Sequence, residues 1–121
     1  MIQTSYFGST APKERKVCIA KWNRWWSGPR ASAFAPSNPK AENWAEAYRQ
    51  DLKSRFPTAE SLLEYLLAIE QATPNPILCC FEKNGEECHR RILADYIQEK
   101  LGLNVPEWQP AQSPTQLSLL G

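Results

Sequence analysis

The stretch from Pro76 to Gly102 limits the possible folds more than any other part of the chain. It opens with Ile77 to Phe81, an almost wholly apolar run that is long enough for a buried strand and too short for a helix. Lys83 to Glu87 is polar and contains Asn84-Gly85, a strong turn signal. From Cys88 onward the apolar residues Ile92, Leu93, Tyr96, Ile97 and Leu101 fall at helical spacing, and Gly102 suits a helix C-cap. The spacing predicts a strand, a tight loop and a helix.

That corner has chemical consequences. In an open α/β sheet, ligands bind in the crevice beyond the carboxyl ends of the strands. A helix N-terminus there presents unpaired N–H groups and a positive dipole end, which suit an anion. Cys80 and Glu82 leave the strand and Cys88 and His89 open the helix, with Arg90 as a fixed positive charge. Cys88 and His89 precede Ile92 and Leu93 by one helical step of four, so both are expected to continue the buried stripe toward the strand end.

The pattern Cys80-Phe81-Glu82, five residues, then Cys88-His89-Arg90, running into Ile92-Leu93-Ala94, resembles the signature of the domain-of-unknown-function 488 family. An early strand, a Trp44…Tyr48-Arg49 helix and a leucine-rich helix before the signature strand support it, over residues 1 to about 105. The resemblance implies an α/β fold with its active site at this corner, without naming a reaction.

A chain of 121 residues with net charge +1 holds one domain and one modest core, and it has no global field directed at nucleic acid. No apolar run approaches the ~20 residues that span a bilayer, and the N-terminus lacks a signal-peptide pattern, so the expectation is a soluble, cytoplasmic protein without a membrane partner. Cys18, Cys79, Cys80 and Cys88 do not form the spaced framework of a secreted disulfide protein, so a reducing compartment is expected.

In chain order, Ile2 to Phe7 and Lys16 to Trp22 read as strands, and whether they pair directly or through a third is left open. Lys13 to Arg30 carries Lys13, Arg15, Lys16, Lys21, Arg24 and Arg30 against one acid, Glu14, interleaved with Trp22, Trp25 and Trp26. Cations hold phosphate and rings stack on bases, so Arg24 and Trp25 are candidate contacts to a nucleotide or single-stranded nucleic acid; packing of the tryptophans over a sheet is the competing reading. Ala31 to Lys40 is an irregular loop of the kind that lies over sites in α/β proteins.

Ala41 to Arg55 reads as a helix with a Trp44, Tyr48, Leu52 stripe, in which Tyr48 is either a ligand contact or a core aromatic. Pro57 ends it, because proline disfavours helix in the preceding residue. Thr58 caps a second helix through about Gln71, whose Leu62, Leu63, Leu66, Leu67 and Ile69 are expected to pack against a sheet. Helix, strand and helix in this order imply parallel pairing with right-handed crossovers. The fold expected is a small three-layer α/β sandwich, a short, mostly parallel sheet flanked by about three helices, over 1–105. Leu103-Asn104-Val105 reads as a short final strand.

Residues 106–121, with Pro106, Pro110 and Pro114, read as a flexible tail. The tail ends Gln116-Leu117-Ser118-Leu119-Leu120-Gly121, which resembles the bacterial sliding-clamp-binding peptide, with Leu120 where that pattern prefers Phe. The resemblance implies a replication sliding clamp as partner, with Gln116, Leu117, Leu119 and Leu120 as contacts. Docking of the tail on its own domain is the alternative.

Three readings of the corner stand. In the first, an enzyme acts on an anionic substrate: Cys88 at a helix start beside His89 and Arg90 favours the thiolate as nucleophile, His89 carries protons, Glu82 orients or acts as base, and Arg90 holds phosphate. The cysteine-phosphatase loop is excluded, because Glu86 stands where its Arg is required, six residues after Cys80. In the second, zinc is held by Cys80, Cys88 and His89; adjacent Cys-His spacing and the lack of a Cys-x2-Cys pair speak against it, and no metal or cofactor is assigned. In the third, Cys80 and Cys88 are small buried hydrophobes and His89 sits in a structural network. The function expected is a DNA-associated protein whose Cys/Glu/Cys/His/Arg pocket binds a phosphate-bearing ligand, nucleotide or nucleic acid; the alternative is a non-enzymatic adaptor or modified-base reader.

Overall fold

The structure, a computed structural model, describes residues 1–21, 24–81 and 89–110. Three parallel strands, β1 (Gln3–Tyr6), β2 (Lys16–Cys18) and β3 (Ile77–Cys80), form the sheet in the order β1-β3-β2. Three helices accompany them: α1 (Trp44–Arg55), α2 (Ala59–Ala72) and α3 (His89–Leu101). The fold is α/β as expected, and the open pairing question is answered: β3 lies between the other two, with Tyr6 opposite Cys80 and Cys18 opposite Cys79.

The central strand is buried on both faces, which is why it carries no polar side chain. Leu78 and Cys80 face the helices, in one core with Val17, Tyr48, Leu52, Leu93 and Ile97. Ile77 and Cys79 face the other way, onto Ala11, Phe7 and Trp108. The buried apolar residues of all three helices belong to the first core. The third layer is therefore irregular chain, supplied by Phe7, Ala11, Trp26 and Trp108.

Local signals explain the helix ends. Thr58 and Ser61 form a capping box at the start of α2, with Ser61 N–H donating to Thr58 Oγ1 at 3.0 Å and Thr58 N–H to Ser61 Oγ at 3.3 Å. Gly102 closes α3 at φ +65, a conformation that L side chains rarely adopt. The first helix begins at Trp44 rather than Ala41, because 38–44 is spanned by tight turns, Ala41 N–H to Asn38 O and Trp44 N–H to Ala41 O.

Two expectations are corrected. The leucine-rich helix α2 does not spread its wide apolar face over the sheet: only Leu62 and Leu66 are buried, Leu63 and Leu67 stay exposed, and its helix neighbour is α3. The predicted strand at 103–105 lies further on. Thr4 N–H donates to Pro106 O, Trp108 N–H donates to Thr4 O, and Glu107 makes a parallel bridge with Thr4. Residues 106–108 thus run along β1.

A charged group fixes that segment. Arg90, fully buried, gives its Nε to both Glu107 carboxylate oxygens at 3.1 Å, and its Nη2 lies 3.0 Å from Oε2. Thr4 Oγ1 donates to the same carboxylate at 2.6 Å, and Arg91 holds Val105 O. A buried charge deprived of its partner is strongly destabilising. Glu107→Gln, which keeps the shape and removes the charge, is expected to lower unfolding free energy by about 2–3 kcal/mol in urea denaturation. A loss within about 0.5 kcal/mol, the range of an ordinary surface change, would show that the pair does not hold the segment.

Candidate functional site

Parallel pairing brings the carboxyl ends of β2 and β3 together, and α3 begins beside them. His89, the first residue of α3, is buried there. Its Nε2 lies 2.7 Å from Ile19 O, and because a carbonyl can only accept, that nitrogen carries the hydrogen. Tyr48 meets the imidazole edge-on, with ring centroids 5.3 Å apart. The Tyr48 hydroxyl donates to Phe34 O at 2.6 Å, and burial pushes its ionisation well above the ordinary value, with Arg55 opposing. Held on two sides, the imidazole has a fixed orientation.

His89 forms part of the wall of a cavity of about 230 Å³, together with Ala20, Lys21, Pro36, Pro39, Lys40 and Phe81. Among the described residues, two ammonium groups and an imidazole therefore border a small chamber whose other lining side chains, Ala20, Pro36, Pro39 and Phe81, are apolar. Lys21 Nζ donates to Ser37 O, which keeps the lysine against the 36–40 segment. The irregular loop from Ala31 to Lys40 is expected from sequence to be of the kind that lies over a site, and its Pro36, Pro39 and Lys40 line the cavity.

The residues expected at the corner do not all converge on this space. Arg90 turns inward to Glu107, and its Nη1 donates to Cys80 Sγ at 3.0 Å. Cys80 is buried and disulfide-bonded, a departure from the reduced state expected, while Cys18 and Cys79 are free. Tyr48 stands behind His89, in the core. Glu82 and Cys88 lie outside the described residues, as do Gln116, Leu117, Leu119 and Leu120. Among the described residues, no three of His, Cys, Asp and Glu come together as a metal-binding group.

The tryptophans divide. Trp26 is buried, its Nε1 donating to Pro29 O, and its ring lies so close to Gly28 that a Cβ there would sit 2.6 Å from it. Trp25 is 64% exposed and Arg24 is exposed beside it. Lys40 is the residue that sequence reasoning missed. It stands 49 positions before His89 in sequence, and no local motif marks it.

The model of the DUF488-N3a family, described as the active DUF488-N3 subclade, matches residues 8–101. This agrees with the family resemblance expected from sequence. No curated protein and no solved structure matches the chain significantly.

The free thiol of Cys79 provides a test of how dry the sheet interior is. Burial pushes it up to about 12 from an ordinary 9.0, with Lys16 and Arg90 opposing. A folded-state value above the unfolded one means that the stabilisation is fully present below pH 9.0 and is lost as pH rises toward about 12. Between about pH 8.5 and about pH 10.5 this group alone is expected to remove about 2 kcal/mol, and Cys79→Ala is expected to flatten the decline. Urea titrations of both proteins across that range check it, and parallel curves would contradict it.

Proposed function

The chain belongs to the DUF488-N3a family, and on that footing we propose that it binds a phosphate-bearing ligand, nucleotide or nucleic acid, in the chamber bordered by Lys21, Lys40 and His89. The observation that carries the reading is the pairing of two lysines with an oriented imidazole at the carboxyl ends of parallel strands, where α/β proteins take their ligands. Ammonium groups neutralise phosphate, and Phe81, Pro36 and Pro39 offer apolar contact to the rest of the ligand.

The subclade's description as active is in keeping with chemistry at this corner. In that case the disulfide at Cys80 is first reduced by an external thiol, and in the reduced protein Cys88 is the nucleophile and His89 the proton carrier, with Glu82 orienting or acting as base. A non-enzymatic reader of a ligand or modified base is the second reading. It is favoured by the engagement of Arg90 with Glu107 and of Cys80 in a disulfide, which leaves the chamber better equipped to hold than to transform. The tail residues Gln116, Leu117, Leu119 and Leu120 recruit the protein to the replication sliding clamp, which sets the work in DNA replication or repair.

Calorimetric titration with dTMP, and separately with inorganic phosphate, tests the chamber. The double variant Lys21→Gln, Lys40→Gln is expected to bind dTMP at least about tenfold more weakly, about 1.4 kcal/mol, with unchanged circular dichroism. Equal affinity in variant and parent would remove the proposal. Deleting 116–121 is expected to abolish binding to a purified sliding clamp while leaving dTMP binding intact; clamp binding that survives the deletion would exclude recruitment by the tail.

A further inference from the structure

We propose that Trp25, Phe81 and Phe7 form a stacking platform for single-stranded nucleic acid, and that the strand enters the chamber from it. This rests on the phosphate-binding reading above and names its ligand as a polymer rather than a free nucleotide. The three rings form one cluster: Phe7 and Trp25 are 5.2 Å apart between centroids, Phe7 and Phe81 5.7 Å, Trp25 and Phe81 6.2 Å. Two of them are open to solvent, Trp25 at 64% and Phe81 at 44% exposure. Buried Trp26 packs beneath, its centroid 5.2 Å from that of Phe7, so the platform is backed by core.

Charge on the two segments beside the rings favours an anionic occupant. Segments 20–30 and 36–40, which carry Trp25 and the cavity loop, contain Lys21, Arg24, Arg30 and Lys40 and no acid, while Glu82, Glu86 and Glu87 follow Phe81 in sequence. Asp51, which reaches Ser37, is engaged there and faces Arg55. Rings that bind bases of any sequence, flanked by cations that track a backbone, are the elements of a single-strand site. Phe81 belongs to both the platform and the cavity wall, so the two surfaces are continuous.

Geometry selects single strands over duplex. Trp25 and Phe81 are inclined at 63° and 6.2 Å apart, whereas bases of a duplex lie parallel at about 3.4 Å. Bases resting on both rings must be splayed, which a single strand permits and a duplex does not.

The test uses the full chain, fluorescein-labelled dT12 by anisotropy, and dTMP by calorimetry. The parent is expected to bind dT12 more tightly than dTMP and more tightly than a duplex of the same length. Its log affinity is expected to fall with log salt at a slope of about −2 to −3, as three or four phosphate contacts give on single strands. Trp25→Ala is expected to weaken dT12 about tenfold and leave dTMP unchanged, since Trp25 does not border the chamber; Trp25→Phe is expected to restore most of the loss. Parent-like dT12 binding by Trp25→Ala and Phe81→Ala overturns the platform, as does equal affinity for duplex. If dTMP binds and dT12 binds no better, only the platform falls; if neither binds, the chamber reading falls with it. Self-association of the parent that Trp25→Ala abolishes, without dT12 binding, assigns the rings to a protein contact and also overturns the proposal.

Discussion

A guanidinium sealed inside the protein against the Glu107 carboxylate organises the rest of the molecule. Arg90 lies in the first turn of α3, and Glu107 lies in the segment that follows that helix and runs along β1. Removing two charges from water is costly, and attraction in a low-dielectric interior compensates only when the geometry is good and the remaining donors and acceptors are satisfied. Here Nε meets both carboxylate oxygens, Nη1 meets Cys80 Sγ, and Thr4 Oγ1 adds a further donor to the carboxylate. The pair ties helix, central strand, edge strand and C-terminal segment together at one point. It anchors the first turn of α3, and the residue before Arg90 is His89.

The imidazole inherits that precision. Its Nε2 is bound to the chain leaving β2, and its face is met by Tyr48, whose hydroxyl is in turn bound to Phe34 O. An imidazole held this way cannot swing to meet a ligand; the ligand must come to it. The groups positioned to draw an anion in are long lysine side chains on two different segments, Lys21 after β2 and Lys40 on the proline-bounded loop. On the proposed reading, the imidazole orients the ligand and the lysines attract it.

Much of the fold was legible, and the reasons are local. The apolar run Ile77–Cys80, the Thr58 cap, the proline after Phe56 and the glycine after Leu101 each act within a few residues, and each lies where expected. What was not legible depends on distant partners. His89 and Arg90 are neighbours in sequence, yet one helical step of about 100° sends one side chain to the chamber and the other to Glu107, whose own context signals nothing but a tail. Trp25-Trp26 offers no rule for which ring goes inside; only Gly28, which leaves room for the Trp26 ring, hints at it. Leu63 and Leu67 share a face with buried leucines, but α2 meets α3 along too narrow a strip to cover them. Lys40 reaches the site through tertiary folding of an irregular loop, for which no periodicity exists to read.

The central claim is that the carboxyl ends of β2 and β3 form a working anion site around Lys21, Lys40 and His89. The most direct measurement is a two-dimensional amide NMR titration of the full chain with dTMP. The account predicts saturable shifts confined to Ala20, Lys21, Lys40, Phe81 and His89 and their immediate neighbours. Absence of shifts at millimolar ligand, or shifts centred on the opposite face around Ala11 and Trp108, would contradict it.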